Sequence, residues 1–462
     1  MGKRWIINRF PGHTIEKTKG YVMKENETFD RTVREILASA LNGFVLWVLS
    51  EACRNGIQRV YFLARDGYLM YRCAQIYVNK LQLPVECRYL YCSRHSLRLP
   101  LYHRDMETGL DYICRGGTEV TLEKILKRSG ITEAERKKTL KLLELTEEKD
   151  LLLPYPYLKE IKQKLKGCPF FLKAMEVNSR KKLSPLLAYL EQEGLLEEIP
   201  MALADSGWTG SMQKEINQAL KMLGKNGRLS GYYWGLYELP KGVKRENYHC
   251  YYFSPEKSLK KKVCFSNSLF ESIFSAPHGM TTGYEKKNGS WEPVCGPGNE
   301  KRRKFMEKLE PILLEYAGNQ AETIVDPENL FIEKFIREPS RKLERFMSRP
   351  TFQEAEIFGN LPFSDDIFDT EEQMTAVKLT EEELKANHAW NKICRMSGFG
   401  PGYVKESPWY EGSAVLYGKR PGYHIFMYHL YKYLLYLKKE TDYKYREKKN
   451  CSSRKRISGF IR

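Results

Sequence analysis

Five consecutive apolar residues, Val60-Tyr-Phe-Leu-Ala64, run straight into the charged turn Arg65-Asp66-Gly67. A strand that is apolar at every position must be covered on both faces, which is the condition of a parallel sheet between helices. The flanking sequence supplies those helices. From about Phe29 to Arg54, residues Ile36, Leu37, Leu41, Phe44, Val45, Val48 and Leu49 recur at helical spacing, and Asn55-Gly56 reads as a C-cap. A second helix is predicted from about Tyr68 to Lys80 and a second strand from Val85 to Cys92. Helix, strand, turn, helix, strand is the pattern of an α/β fold.

The pattern then breaks and resumes. Residues 118–195 are rich in Lys, Glu and Leu at helical spacing and read as a helical insertion. A strand returns at Ile199 to Ala204, a helix follows from Ser211 to Leu223, and Ser230–Tyr237 and Tyr248–Phe253 are aromatic strands. Residues 299–347 read as helical, 349–412 as irregular, and His424–Lys438 as a Tyr- and Leu-rich helix. The expected organisation is an extension (1–25), two parts of one α/β core (26–117 and 196–298) around the insertion (118–195), a helical and irregular C-terminal region (299–443), and a frayed basic tail (444–462).

Several classes are disfavoured. The longest uncharged apolar stretch, Ile36–Ser50, falls short of the roughly 20 residues that span a bilayer. The N-terminus has a basic start without the apolar core of a signal peptide. The 11 cysteines include no C-x-x-C, and Cys87 and Cys92 read as strand residues, so a reduced cytoplasmic chain without a zinc site is expected. The net charge of +18 invites an anionic partner. Much of it lies in the tail and in the runs Lys260-Lys-Lys262 and Lys301-Arg-Arg-Lys304, which read as solvated faces, so a specific nucleic-acid partner is not expected.

Four segments have the residue types for chemistry. In Met201-Ala-Leu-Ala-Asp205-Ser206-Gly207-Trp-Thr209-Gly210-Ser211 an apolar strand ends in an acid, then a Gly/Ser/Thr loop opens a helix. Loop amides at a helix N-terminus favour phosphate, and Asp205 suits ribose hydroxyls or Mg²⁺; an ordinary strand–helix turn fits equally well. Arg65-Asp66-Gly67 places a guanidinium at the carboxyl edge of a parallel strand, where such sheets bind ligands. Ser93-Arg94-His95 reads as an anion-binding loop able to close over substrate, or as a solvated loop. Glu271 and His278 are a candidate acid/base pair, with a structural role as the plainer alternative. The string Asp366-Ile-Phe-Asp369-Thr370 matches the nucleophile motif of haloacid-dehalogenase phosphatases but lacks the apolar strand that motif needs.

Phe62-Leu-Ala-Arg-Asp-Gly-Tyr-Leu69, Tyr89-Leu-Tyr-Cys-Ser-Arg94, Ala204-Asp-Ser-Gly-Trp-Thr-Gly-Ser-Met-Gln213 and Ser275-Ala-Pro-His-Gly279 together resemble regions of bacterial polysaccharide-locus proteins. These are often named dehalogenase-superfamily hydrolases, because many carry such a phosphatase domain ahead of this region; the present chain is expected to lack it. The region itself resembles type I phosphoribosyltransferases, and the group is similar to the glycan phosphoribosyltransferases that place ribofuranose in capsules and O-antigens.

The resemblance implies a phosphoribosyltransferase-like parallel sheet flanked by helices. It implies transfer of 5-phosphoribosyl from phosphoribosyl pyrophosphate (PRPP) to a glycan hydroxyl, with Mg²⁺ as cofactor and loss of pyrophosphate. Asp205 matches one acid of the family's ribose motif, where the family has two, and would also meet the metal. Ser206, Gly207, Thr209, Gly210 and Ser211 resemble the 5-phosphate loop. Arg65, Asp66 and Gly67 match the pyrophosphate loop, and Ser93 and Arg94 fall at the family's flexible hood. Glu271 or His278 would accept the acceptor's proton. The acceptor would be a glycan, lipid-linked in some systems, and a separate dehalogenase-type phosphatase would remove the 5-phosphate. The expected location is the cytoplasm, with contact at the inner face of the membrane through the basic tail. The competing expectations are a phosphatase or other hydrolase, and a basic nucleic-acid-binding or assembly protein without catalysis.

Overall fold

A computed structural model describes residues 25–116, 120–225, 229–324, 334–364, 373–396 and 404–458. Helix α1 spans Glu25–Arg54 and is π-wound over Val33–Ala38. It is long and apolar enough to cross a membrane, contrary to the sequence expectation, but its apolar window is 78% buried in the protein. It is a core helix, ended by Asn55 and by Gly56 at φ +64°. Strand β1 (Arg59–Leu63), helix α2 (Gly67–Leu81) and strand β2 (Glu86–Leu90) follow.

Helices then run to residue 192: α3 (Arg94–Arg98), α4 (Met106–Ile113), α5 (Leu122–Arg128), α6 (Glu133–Leu142), α7 (Tyr155–Lys166) and α8 (Pro169–Gln192). This helical segment starts sooner than its composition suggests, directly after β2. It has its own core, running from Leu99 through Ile125 and Leu165 to Met175. The chain re-enters the sheet at β3 (Met201–Trp208), then forms α9 (Ser211–Met222), β4 (Ser230–Leu236) and β5 (Tyr248–Phe253).

The five strands make one parallel sheet in the order β2-β1-β3-β4-β5. Val60 and Phe62 face α1 and α2 in one core, while Tyr61 and Leu63 face α8 and α9 in another. Both faces are therefore covered, as the unbroken apolar run requires. The chain leaves β1 for β2 on one side and returns to β3 on the other. The switch in direction, and hence the crevice such sheets use for ligands, lies between the carboxyl ends of β1 and β3.

Beyond the sheet come α10 (Leu259–Cys264), α11 (Asn267–Phe274) and the antiparallel hairpin β6 (Thr281–Lys287) with β7 (Ser290–Cys295). Helix α12 (Glu300–Glu322) packs on α1 and α2, and α13 (Lys334–Ser348) on α1. The stretch expected to be irregular contains helices α14 (Phe352–Gly359), α15 (Glu381–Ala386), α16 (Ala389–Met396) and α17 (Tyr410–Tyr417), and a ribbon of β8 (Pro362–Phe363) with β9 (Gln373–Met374). Thr351 with Glu354 and Thr380 with Glu383 form capping boxes that start two of these short helices. The last helix, α18 (Pro421–Ser458), takes in most of the expected frayed tail. Asp366 and Asp369 lie outside the described residues.

Two basic runs are not wholly solvated, against expectation. Lys262 is buried, donating to Glu440 at 2.7 Å and to the Pro255 carbonyl at 3.1 Å. Arg302 is buried and donates to the carbonyls of Ser272 (3.3 Å) and Pro362 (2.9 Å), tying α11 to the β8 ribbon.

Strand β3 also runs further than expected, through Asp205, Ser206 and Gly207 to Trp208, with Gly207 opposite Gly235 in the ladder. Its end needs glycine. Gly207 has φ +104°, and a Cβ there would lie 2.7 Å from the Gly235 carbonyl oxygen. Gly207→Ala is therefore expected to destabilise the protein by about 2 kcal/mol or more in urea denaturation. A loss under about 0.5 kcal/mol would contradict this account of the strand end.

Candidate active site

The carboxyl ends of β1 and β3 bring two acids to the switch point. Asp66 opens α2, and Asp205 lies within β3, buried to 8% exposure. Two serines hold Asp66. Ser206 donates its hydroxyl to Asp66 Oδ2 at 2.5 Å, and Ser275, just after α11, donates to Asp66 Oδ1 at 2.9 Å. The Ala276 amide donates to the Arg65 carbonyl at 3.2 Å, fixing that segment against the turn after β1. The Ala64–Arg65 peptide is cis. Gly67 suits a close approach, since a Cβ there would lie 3.0 Å from the Phe62 carbonyl carbon and the strand end would have to shift slightly.

A third acid arrives from α11. Glu271 accepts from the Trp208 indole N–H at 2.5 Å. Trp208 presents that N–H from φ +65°, a left-handed conformation that is costly for a residue with a side chain. The rings of Phe253, Phe265 and Phe270 pack around the indole. Arg302 adds a 3.4 Å contact to the Glu271 carbonyl.

Burial dominates the electrostatics. It pushes the Asp205 carboxyl up to about 7, helped by the negative charge of Asp66 and, more weakly, of Glu271; the Ser206 amide and Arg94 act against it. Burial and Asp66 likewise push Glu271 up to about 7, opposed by Arg94, the Trp208 hydrogen bond and Arg65. Asp66, Asp205, Glu271, Arg65 and Arg94 therefore lie within electrostatic reach of one another. His278 joins through Arg65, which with burial lowers its basicity. Its Nδ1 lies 2.8 Å from the Gly279 carbonyl, so that nitrogen carries the proton, and its Nε2 accepts from Tyr89 Oη at 2.8 Å.

Some expected features differ. Ser206 and Gly207 are not in a phosphate loop, because they belong to β3; only Thr209 and Gly210 separate it from α9. Thr209 Oγ1 and Ser211 Oγ lie 3.4 Å apart at the start of that helix, and no side chain caps it. Ser93 to His95 is not a flexible loop. Ser93 caps α3 in a reciprocal pair with Ser96, donates to the Thr281 carbonyl at 2.6 Å, and precedes a buried His95 whose pKa burial lowers to about 4. Arg94 alone of the three is exposed toward solvent. Glu271 and His278 do not bond each other, being held by Trp208 and Tyr89 respectively.

Trp208, Ser275 and Tyr89 were not predicted as site residues. A tryptophan closing an apolar strand reads as core, and only its place next to Ser206 and Gly207 hinted at more. A separate hollow of about 830 Å³, lined by Asn26, Asp30, Arg34, Lys308 and Ile312 among others, shares no residue with this cluster. The sequence matches no protein-family model and no curated protein.

Among the described residues no three His, Cys, Asp or Glu side chains form a group able to hold a metal unaided. Asp66 and Asp205 are of the residue type that holds Mg²⁺, which is commonly bound by one or two carboxylates with substrate oxygens and water completing its shell.

Asp205 holds its proton more tightly folded than unfolded, so its contribution to stability falls as pH rises from about 4 toward about 7 and stays low above that. Asp205→Asn lacks this loss. Its melting temperature is expected to exceed the parent's by more at pH 8 than at pH 5, the difference corresponding to roughly 2–4 kcal/mol. An equal offset at both pH values would contradict the burial of this acid.

Proposed function

We propose that this chain is a PRPP-dependent glycan phosphoribosyltransferase. The observation that carries the reading is the buried Asp205 with the half-buried Glu271, both carboxyls pushed up to about 7, beside Arg65 and Arg94 at the switch point of a parallel sheet. A general base works best with a pKa near the working pH, and guanidinium groups suit the phosphate oxygens of a pyrophosphate leaving group.

The reaction is substitution at the anomeric carbon through an oxocarbenium-like transition state. The bond to pyrophosphate breaks, the acceptor oxygen bonds to that carbon, and the acceptor's proton passes to the protein. Glu271 is the favoured proton acceptor, since both ring nitrogens of His278 are engaged, by Gly279 and by Tyr89. Trp208 holds Oε1 of Glu271, which orients the other oxygen. His278 then shapes the rim with Tyr91, whose ring lies 5.0 Å away.

Arg65 and Arg94 stabilise the charge that develops on pyrophosphate. Asp205 receives ribose hydroxyls, and the Thr209 and Ser211 hydroxyls with the start of α9 receive the 5-phosphate. Asp66 and Asp205 would hold Mg²⁺, which when bound neutralises charge on the departing pyrophosphate. The product keeps its 5-phosphate, so a separate phosphatase acts next. A cytoplasmic location follows from the donor's.

The test measures pyrophosphate release and calorimetric PRPP binding with Mg²⁺ and locus-derived glycan acceptors. The parent is expected to bind PRPP and release pyrophosphate, with kcat falling below about pH 7 as Glu271 protonates. Glu271→Gln is expected to lower kcat by roughly 10²–10⁴-fold with PRPP affinity retained. Absence of PRPP binding by the folded parent would sink the reading.

A further inference from the structure

Helix α18 turns an apolar stripe to solvent. Tyr423, Phe426, Leu430, Tyr433, Leu434 and Leu437 recur at steps of three and four, form one stripe about 21 Å long, and are 39% to 65% exposed. On the opposite face Ile425 and Tyr428 pack against Tyr410, Tyr436 stacks on Tyr237, and charged groups are buried among them. His424 is fully buried, with Nε2 3.0 Å from Glu381 and Nδ1 3.0 Å from Nε2 of His388. His429 lies 2.9 Å from the buried Glu411, and Lys432 donates to the Phe265 carbonyl at 2.8 Å. The buried Glu440 accepts from Lys262 at 2.7 Å.

Burying ionisable groups is costly unless each finds a partner, and leaving large apolar side chains in water forgoes about 1.5–3 kcal/mol apiece. Four polar side chains with dedicated partners on other elements hold α18 with its apolar stripe outward. The helix then continues without interruption to Ser458, and the sequence from Lys444 to Arg462 has eight Lys/Arg and one Glu.

We infer that the outward face of α18 docks on an anionic lipid surface, with Phe426 and the leucines entering the acyl boundary and the basic continuation lying over the headgroups. Tyrosines suit the interface, with an apolar ring and a polar tip, and an apolar stripe joined to a polybasic segment is the two-signal pattern that gives stable peripheral attachment. A second copy of the chain would match the stripe but not the tail, whose like charges repel when the helices run parallel. The inference is independent of the catalytic reading.

The experiment floats the full chain with vesicles of phosphatidylcholine alone or with about 30% phosphatidylglycerol, at low and high salt. Expected is co-flotation with the anionic vesicles only, weakened by salt. In F426S/L430S/L437S the bound fraction is expected to fall roughly tenfold with an unchanged melting temperature. Should that variant misfold, Tyr433→Trp serves instead, and its emission is expected to shift to the blue on anionic vesicles, relative to the parent's. The inference is overturned if the parent does not float, if the folded triple variant floats equally well, or if the emission of the Tyr433→Trp variant does not move. It is also overturned if sedimentation shows a dimer that the triple variant dissolves while neither protein binds vesicles.

Discussion

One carboxylate joins three distant stretches of this chain. Asp66 closes the turn after β1, and its two oxygens receive hydroxyls from Ser206 and Ser275, which lie 140 and 209 residues away. Hydrogen bonds stabilise a half-buried carboxylate, so these two tie β3 and the end of α11 to the turn after β1. Everything proposed for the site depends on that geometry. Ser206 sets the neighbouring Asp205 within β3, and Ser275 sets the last turn of the helix that carries Glu271. Arg302 secures the same helix from the other side through backbone carbonyls.

The sheet was legible because a strand covered on both faces must be apolar throughout, and Val60–Ala64 has that form. The turn after it was legible for the same reason, since charge can follow such a strand only where the sheet ends. Strand β3 was harder. It continues through Asp205 and Ser206, which look like loop residues, because its pairing with β4 and the Ser206–Asp66 bond satisfy groups that would otherwise need water. Residues 349–412 misled in the opposite sense. Helices of six to eight residues are too short to display a period, although the capping pairs Thr351/Glu354 and Thr380/Glu383 were present as signals. Ser93 was misjudged alike: a serine before two basic residues suggests a loop, but with Ser96 it is a helix cap.

Two of the clusters of polar groups differ in kind. Around Glu411, Lys432 and Glu440, opposite charges neutralise one another, and the pairs set the orientation of a helix. Around Asp66, Asp205 and Glu271, like charges are gathered with only neutral donors and two arginines to relieve them. The first arrangement is closed. In the second, the repulsion raises the proton affinity of Asp205 and Glu271. That contrast, more than the presence of any one residue, separates scaffold from site here.

The helical segment between β2 and β3 has a consequence for how the protein is made. β1 lies inside the sheet between β2 and β3, yet β3 begins at Met201, far behind Leu63 in the chain. At typical rates of synthesis the ribosome needs roughly ten seconds to cover that distance. Throughout that interval β1 has β2 on one side and an open edge on the other. The intervening helices have a core of their own built from nearby contacts, so they can condense first and stand beside the waiting edge. The segment that looks like an interruption of the sheet is, in time, what the nascent chain has to hold it together until β3 arrives.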